Sequence, residues 1–176
     1  VLKSISLINY SHGLNISQKR ITVSTAGITK IIKKLADLKP KFNLAISLHS
    51  ANNKKRSELM KINETNNLSK LLASVSYFYN TTKIKPTYEY VLLSGINDSQ
   101  DDAEELIKFC KKSPAKVNLI EYNHVKGIPY KKSTEESTQK FIDILEKNKI
   151  LVKLRRSRGE DIGAACGQLA TQNKKW

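Results

Sequence analysis

The sequence has few cysteines, no long apolar run and no export signal. Two cysteines in 176 residues cannot form a disulfide framework, which agrees with a reducing compartment. No apolar run approaches the roughly 20 residues that a helix needs to cross a bilayer, and no charged-then-apolar leader opens the chain. These absences predict a cytoplasmic protein without a membrane segment.

Motifs for protein-bound metals and for common nucleotide-binding folds are also missing. His12, His49 and His124 lack the spacing of metal ligands, and the chain has no CxxC motif, HExxH motif or carboxylate cluster. It has no P-loop, and no GxGxxG motif follows a predicted strand. We therefore expect no metal bound by this chain, and neither an ordinary Rossmann methyltransferase nor an NTPase.

Acidic residues are scarce relative to basic ones. The chain has 31 Lys and Arg against 16 Asp and Glu, a formal net charge of +15. A charge of this size favours nucleic acid or another polyanion as the partner. Lys, Asn and Ile are frequent throughout, as an AT-rich coding sequence would produce, so composition can account for part of the charge.

What the chain does contain is an alternation of two hydrophobic periods. Apolar residues recur at every second position in some segments and every three to four positions in the segments between them. This pattern predicts strand–helix units around a mainly parallel sheet. The predicted strands cover residues 20–25, 43–49, 87–93, 117–122 and 150–154. The sequence thus predicts one α/β unit of about five strands, without an internal repeat or linker.

Polar side chains collect where the predicted strands end. One face of segment 43–49 is apolar, and the other carries Ala45, Ser47 and His49. The carboxyl ends of parallel strands meet at one edge of a sheet, which is where ligands bind. The other polar residues at or near such ends are Ser24, Thr25, Glu89, Asn118 and Asn123. Hydroxyl, imidazole and carboxamide groups suit an uncharged polar ligand with a sugar and an amino-acid end.

Each of these residues also has a purely structural explanation. Ser and Thr often cap the ends of strands, His49 can be a hydrogen-bonded structural histidine, and Asn118 can fix a loop. Their convergence at equivalent ends of successive strands favours the functional interpretation.

The two cysteines have different surroundings in the sequence. Cys110 belongs to the apolar stripe of a predicted helix, which indicates a core position. Cys166 lies among glycines and alanines and follows the arginines in RRSRGEDIGAACGQLA. Nearby positive charge lowers the pKa of a thiol and favours the nucleophilic thiolate. The alternative for Cys166 is a small buried hydrophobe, and the arginines could equally hold phosphates.

Five blocks of sequence carry a resemblance to a known family. They are RITVSTAGI, NLAISLHSANNKKRSELMKIN, EYVLLSGINDS, VNLIEYN and RGEDIGAACGQLA, in this order. The chain resembles the C-terminal part of the radical S-adenosylmethionine (SAM) enzymes that methylate C2 of adenine in 23S rRNA and, in dual-specificity members, tRNA. The resemblance implies a TIM-like partial (βα)6 barrel that lacks its first strands here. Residues 1–154 would belong to the barrel, and residues 155–176 to a loop that carries Cys166.

The resemblance also implies roles for individual residues. Cys166 matches the cysteine that accepts a methyl group from one SAM molecule and passes its carbon to RNA. The positions implied to bind SAM are Ser24, Ser47, Leu48, His49 and Asn123. In the family, a [4Fe-4S] cluster reduces a second SAM molecule to a radical that activates the methyl group. A further cysteine then releases the RNA by forming a disulfide with the first.

Several parts of the family's pattern are missing from this sequence. The CxxxCxxC cluster motif, the resolving cysteine and the N-terminal RNA-binding domain would all precede Val1, and Cys110 does not occupy the resolving position. Residues 1–8 have the spacing of an amphipathic helix with no start signal before it. We therefore expect a fragment that is inactive alone and poorly soluble, because its first strand exposes an open edge.

The resemblance implies partners for the complete enzyme, and the residues remain compatible with three different functions. The implied partners are 23S rRNA, tRNA and a flavodoxin-type electron donor, and we expect a monomer. The sequence favours the C2-specific enzyme but does not distinguish it from a C8-specific resistance methyltransferase. A noncatalytic RNA-binding module would use the arginines only to neutralise phosphate, and a small-molecule barrel enzyme would use Ser47 and His49 for its substrate.

Overall fold

A computed structural model describes residues 1–125 and 127–156. Five parallel strands form one sheet in the order of the chain. They are β1 (Thr22–Thr25), β2 (Asn43–Ser47), β3 (Thr87–Leu92), β4 (Lys116–Glu121) and β5 (Val152–Arg155). The α/β fold class is confirmed, and every predicted strand is present with its ends shifted by at most two residues.

Six α-helices occur among the described residues. They are α1 (Leu2–Asn9), α2 (Thr29–Asp37), α3 (Asn53–Leu59), α4 (Leu68–Thr82), α5 (Gln100–Cys110) and α6 (Glu135–Lys147). Short 3-10 turns cover Gln18–Arg20 and Lys61–Glu64. Within the described ranges, no helix combines the length and the apolarity that a bilayer-crossing segment needs.

The core lies between one face of the sheet and the helices. Strand residues alternate between the two faces, so Leu44 and Ile46 of β2 point to the same side. Both are fully buried against helix residues such as Ile32 of α2 and Phe78 of α4. The predicted division of segment 43–49 into an apolar and a polar face is confirmed. We call the sheet face opposite the helices the inner face.

Helix starts are fixed by side-chain caps. Ser99 caps α5 in a capping box with Asp102. Asp98 instead accepts a hydrogen bond from Ser133 Oγ at 2.6 Å and one from the Gly95 backbone N–H at 2.8 Å. The helices α3, α4 and α6 are capped by Asn52, Asn67 and Thr134.

Cys110 occupies the core position that its spacing predicts. It is 7% exposed at the end of α5, and burial raises the pKa of its thiol to about 12. The thiolate that nucleophilic chemistry needs is therefore not populated near neutral pH. Cys110 has a packing role.

Candidate functional site at the carboxyl edge of the sheet

A row of polar residues crosses the inner face. Paired residues of parallel strands point to the same side, and the strand register aligns Ser47, Glu89, Asn118 and Lys153 on four successive strands. Ser24 pairs with Ala45 and so shares this face, where it is exposed. The structure thus places Ser24, Ser47, Glu89 and Asn118 on one surface, as the sequence predicts.

His49 lies just beyond the end of β2 and is held in a defined orientation. Its backbone is left-handed, with φ 55°, which explains why β2 stops short of the predicted residue 49. Its Nδ1 accepts a hydrogen bond from the Val91 backbone N–H at 3.1 Å. Since Nδ1 is an acceptor, the neutral ring carries its hydrogen on Nε2 and offers a donor there.

The imidazole of His49 is uncharged near neutral pH. Burial, and secondarily the positive charge of Arg56, lower its pKa to about 4. A neutral N–H donor can bind an oxygen or ring nitrogen of a ligand without adding positive charge to the site. This property fits a ligand that already carries a cationic centre.

Asn97 ties the end of β2 to the end of β3. It is 0% exposed, and its Nδ2 donates to the carbonyl oxygens of His49 at 2.7 Å and Val91 at 2.8 Å. Its Oδ1 accepts from the Leu93 N–H at 2.8 Å, and its own carbonyl accepts from Tyr90 Oη at 2.8 Å. The left-handed turn at His49 is therefore fixed by a side chain from the segment that follows β3.

Glu89 is the acidic member of the polar row. Its Oε1 accepts a hydrogen bond from Asn118 Nδ2 at 3.0 Å, whereas its Oε2 is buried without a partner among the described residues. Burial raises the pKa of this carboxyl group, and the hydrogen bond from Asn118 and the charge of Arg155 oppose that shift. A buried acceptor without a donor can bind an N–H or O–H group of a ligand.

The remaining predicted site residues differ in their placement. The Leu48 side chain is fully buried in the helix-facing core, so only its backbone can face a ligand. Asn123 follows β4 by two residues and is 6% exposed. Residues 157–176 lie outside the described residues, and they include Cys166, the predicted site of the chemistry.

Two kinds of comparison relate this geometry to known proteins, although no family model matches the chain. The chain is 48% identical over 173 residues to a probable dual-specificity RNA methyltransferase RlmN of Christiangramia forsetii, with 98% of this chain and 49% of the relative covered. It is 49% identical over 172 residues to the protein of the same description from Flavobacterium psychrophilum, with 98% and 50% covered. Its fold matches the crystal structure of a radical SAM methyltransferase from Sphaerobacter thermophilus with a TM-score of 0.92 at 36% identity, over 95% of this chain and 49% of that one. The chain belongs to the RlmN family of radical SAM methyltransferases.

The chain spans about half the length of the relatives it matches. A radical SAM methyltransferase uses SAM, and the inner face has groups that fit a polar nucleoside. These groups are the Ser47 hydroxyl, the neutral N–H donor of His49 and the buried free oxygen of Glu89.

An iron–sulfur cluster does not fit the described residues. Such clusters are held mainly by several cysteine thiolates, whereas the only cysteine in the described ranges is Cys110, which is buried and has a raised pKa. That part of the chain also contains no group of three His, Cys, Asp or Glu that could hold a metal ion.

Arg56 and Asn97, the two residues that fix the ends of these strands, are not identified by the sequence pattern. Asn97 lies in the segment SGINDS, whose composition predicts only a turn. Arg56 follows two lysines in a weakly helical segment, and the three basic residues look alike by composition. The one signal that distinguishes Arg56 from the two lysines is its position around the helix axis. Arg56 is the buried residue of α3, whereas Lys54 is exposed and Lys55 is partly exposed.

Proposed function

We propose that the protein to which this chain contributes methylates C2 of adenine in 23S rRNA and tRNA, with SAM as the methyl donor. The observation that supports this most strongly is the agreement between the relatives and the geometry of the strand ends. The relatives are described as dual-specificity RNA methyltransferases, and the residues expected to bind SAM include three on or beside one polar strand edge, Ser24, Ser47 and His49.

In this proposal the inner face and the loops after β1, β2 and β4 bind SAM. Ser24 and Ser47 offer hydroxyl groups, Leu48 offers only its backbone, and His49 donates from Nε2 to an oxygen or nitrogen of the nucleoside. Asn123 provides a carboxamide beyond β4. One SAM molecule would supply the methyl group, and a second, after one-electron reduction, would supply the radical that removes a hydrogen atom from it. The protein holds the nucleoside and excludes water around it.

Cys166 carries the methyl group in the proposed reaction. Arg155 and Arg156 are exposed at the end of β5 and precede this cysteine in the sequence. Their positive charge favours the thiolate and also suits the phosphates of an RNA substrate. Residues 1–154 would thus bind the cofactor, and residues 155–176 would carry the nucleophile.

The remaining requirements are met by parts of the protein outside this chain. The [4Fe-4S] cluster would be held by cysteines of another segment, because this chain has only two cysteines in total. A flavodoxin-type donor would reduce the cluster, and the enzyme would act as a cytoplasmic monomer. The chain alone would be inactive.

The test is a pair of cysteine substitutions in the full-length protein. We expect Cys166→Ala to abolish formation of 2-methyladenosine in 23S rRNA and tRNA, measured by nucleoside mass spectrometry, and to leave RNA affinity nearly unchanged. Cys110→Ala should retain methylation. Methylation that survives Cys166→Ala would contradict the proposal, and 8-methyladenosine as the product would assign the enzyme to the C8-specific class.

A further inference from the structure

Arg56 is a charged residue in an unusual environment. Its side chain in α3 is 0% exposed, yet no carboxylate in the described part of the chain lies within ion-pair distance of it. A buried charge without compensation is strongly destabilising. Burial lowers the pKa of the guanidinium only to about 10, so it remains charged at neutral pH. Neutral acceptors must therefore compensate the charge.

Five acceptors surround the guanidinium. Nη2 donates to the carbonyl oxygens of Ala26 at 3.3 Å and Ser47 at 3.2 Å, and Nε donates to that of Leu48 at 3.2 Å. Nη1 donates to Asn63 Oδ1 at 2.7 Å and to the Asn66 carbonyl oxygen at 3.2 Å. An arginine has five N–H groups, so these contacts satisfy the whole side chain.

The segment after β1 is shaped to admit this side chain. Gly27 has φ 98°, a conformation that L-residues with side chains rarely adopt. A Cβ at this position would lie 3.0 Å from Arg56 Nη2. The absence of a side chain at Gly27 therefore lets the guanidinium reach the Ala26 carbonyl.

Three of the five contacts are with backbone next to the proposed cofactor residues. Ser47 and Leu48 immediately precede His49, and Ala26 follows Ser24 by two residues. A single rigid, planar group thus sets the relative positions of the ends of β1 and β2, which do not pair with each other beyond Thr25 and Ile46.

We propose that Arg56 is a positioning residue for SAM, which fixes the backbone after β1 and β2 so that Ser24, Ser47 and His49 meet the nucleoside in one arrangement. This inference rests on the proposed function, since it concerns the same site. Arg56 does not touch the cofactor. It acts through the three carbonyl oxygens and through its charge beside His49.

The competing explanation is that Arg56 only stabilises the core. Two substitutions separate these roles. Arg56→Lys keeps the charge but cannot span five acceptors, because an ammonium group is a compact donor. Arg56→Met removes both charge and donors. A purely structural role predicts that the folded fraction of either variant binds SAM normally, whereas a positioning role predicts weakened binding in both.

The experiment measures SAM affinity by calorimetry on the full-length holoprotein without reductant, together with NMR titration of the His49 imidazole. We expect both variants to bind SAM at least about tenfold more weakly, the equivalent of one or two lost charge-assisted hydrogen bonds. The His49 pKa should rise in Arg56→Met, where the neighbouring charge is lost, and stay low in Arg56→Lys. This split depends only on the charge at position 56, so the SAM affinities of the two folded variants decide between the positioning and the core-stabilising role.

Controls and milder variants keep the test decisive. Lys55→Met, one residue earlier in α3, removes the 2.7 Å ion pair with Asp102 and should leave SAM affinity unchanged. If neither Arg56 variant folds, Asn63→Ala removes only one acceptor, and we expect it to weaken SAM binding by a smaller factor. The inference about Arg56 would be overturned if folded Arg56→Lys bound SAM within about twofold of the parent affinity. If Arg56→Lys does not fold, the same result for Asn63→Ala would overturn it. Either result would leave the proposed function intact. Absence of SAM binding by the parent protein would overturn the proposed function as well.

Discussion

The two edges of the sheet are built differently. At the carboxyl edge, the buried side chains of Arg56 and Asn97 hold the backbone at the ends of β1, β2 and β3. At the amino edge, Asn43 donates to the Lys19 carbonyl at 2.9 Å from an exposed position. Exposed lysines lie before the strands or at their first residue at this edge, namely Lys19, Lys39, Lys41, Lys85, Lys116 and Lys149.

The carboxyl edge therefore holds backbone groups in fixed positions, whereas the amino edge carries solvated charge. Groups that must meet a ligand need fixed positions, and buried, fully hydrogen-bonded networks provide them. None of the six lysines forms an ion pair with a described carboxylate, so the positive charge at the amino edge is solvated. We expect substitutions to have large effects at the first edge and small effects at the second.

The largest difference should appear between two asparagines. Asn97→Ala leaves the His49 and Val91 carbonyls and the Leu93 N–H without their partner, and we expect a loss of about 3 kcal/mol of unfolding free energy. Asn43→Ala removes exposed contacts and should lose less than about 1 kcal/mol. Urea denaturation of the full-length protein measures both, and equal losses would remove the contrast between the edges.

The pH dependence of stability should follow His49. Its pKa is about 4 in the folded chain and 6.5 in an unfolded one, so the unfolded chain takes up a proton first as the pH falls. The contribution of the neutral imidazole to the free energy of unfolding is complete above pH 6.5, and it is lost progressively as the pH falls towards 4. His49→Asn tolerates the left-handed turn and cannot titrate. Its unfolding free energy should fall less steeply than the parent's across this window, and parallel curves would contradict the assignment.

The smallest effect should come from Glu89. Because burial raises the pKa of its carboxyl group, the charged form is disfavoured in the folded state. Protonated Glu89 therefore contributes to the free energy of unfolding in acid. This contribution is lost as the pH rises through the pKa that the carboxyl group has in the folded chain. Glu89→Gln should therefore gain stability at neutral pH, within about 1 kcal/mol. It should gain none at low pH, and a loss at neutral pH would show that the charge itself is stabilising.

The sequence predicts the parts of the fold that depend on local pattern. The alternation of Leu44 and Ile46 with Ala45 and Ser47 is local, and so is the placement of Ser99 before a run of acids. The polar row on the inner face also follows from the sequence, because parallel strands bring equivalent ends together.

The contacts that fix the site depend on long-range geometry. Arg56 binds carbonyl oxygens 8 to 30 residues away, and nothing in its neighbours indicates where those oxygens will lie. The left-handed turn at His49 depends on Asn97, 48 residues later. Patterns over a few residues predict which segments form the sheet, but they do not contain the distances between the loops that follow them.

The burial of Cys110 offers a practical means of studying the other cysteine. The thiolate is the form of cysteine that attacks thiol-directed reagents, and at Cys110 it is suppressed because burial raises the pKa to about 12. Close packing also limits the access of a reagent to this sulfur. The chain has two cysteines, so any probe that this part of the folded protein takes up will mark Cys166. A fluorophore or spin label could then report on that position without any prior removal of Cys110.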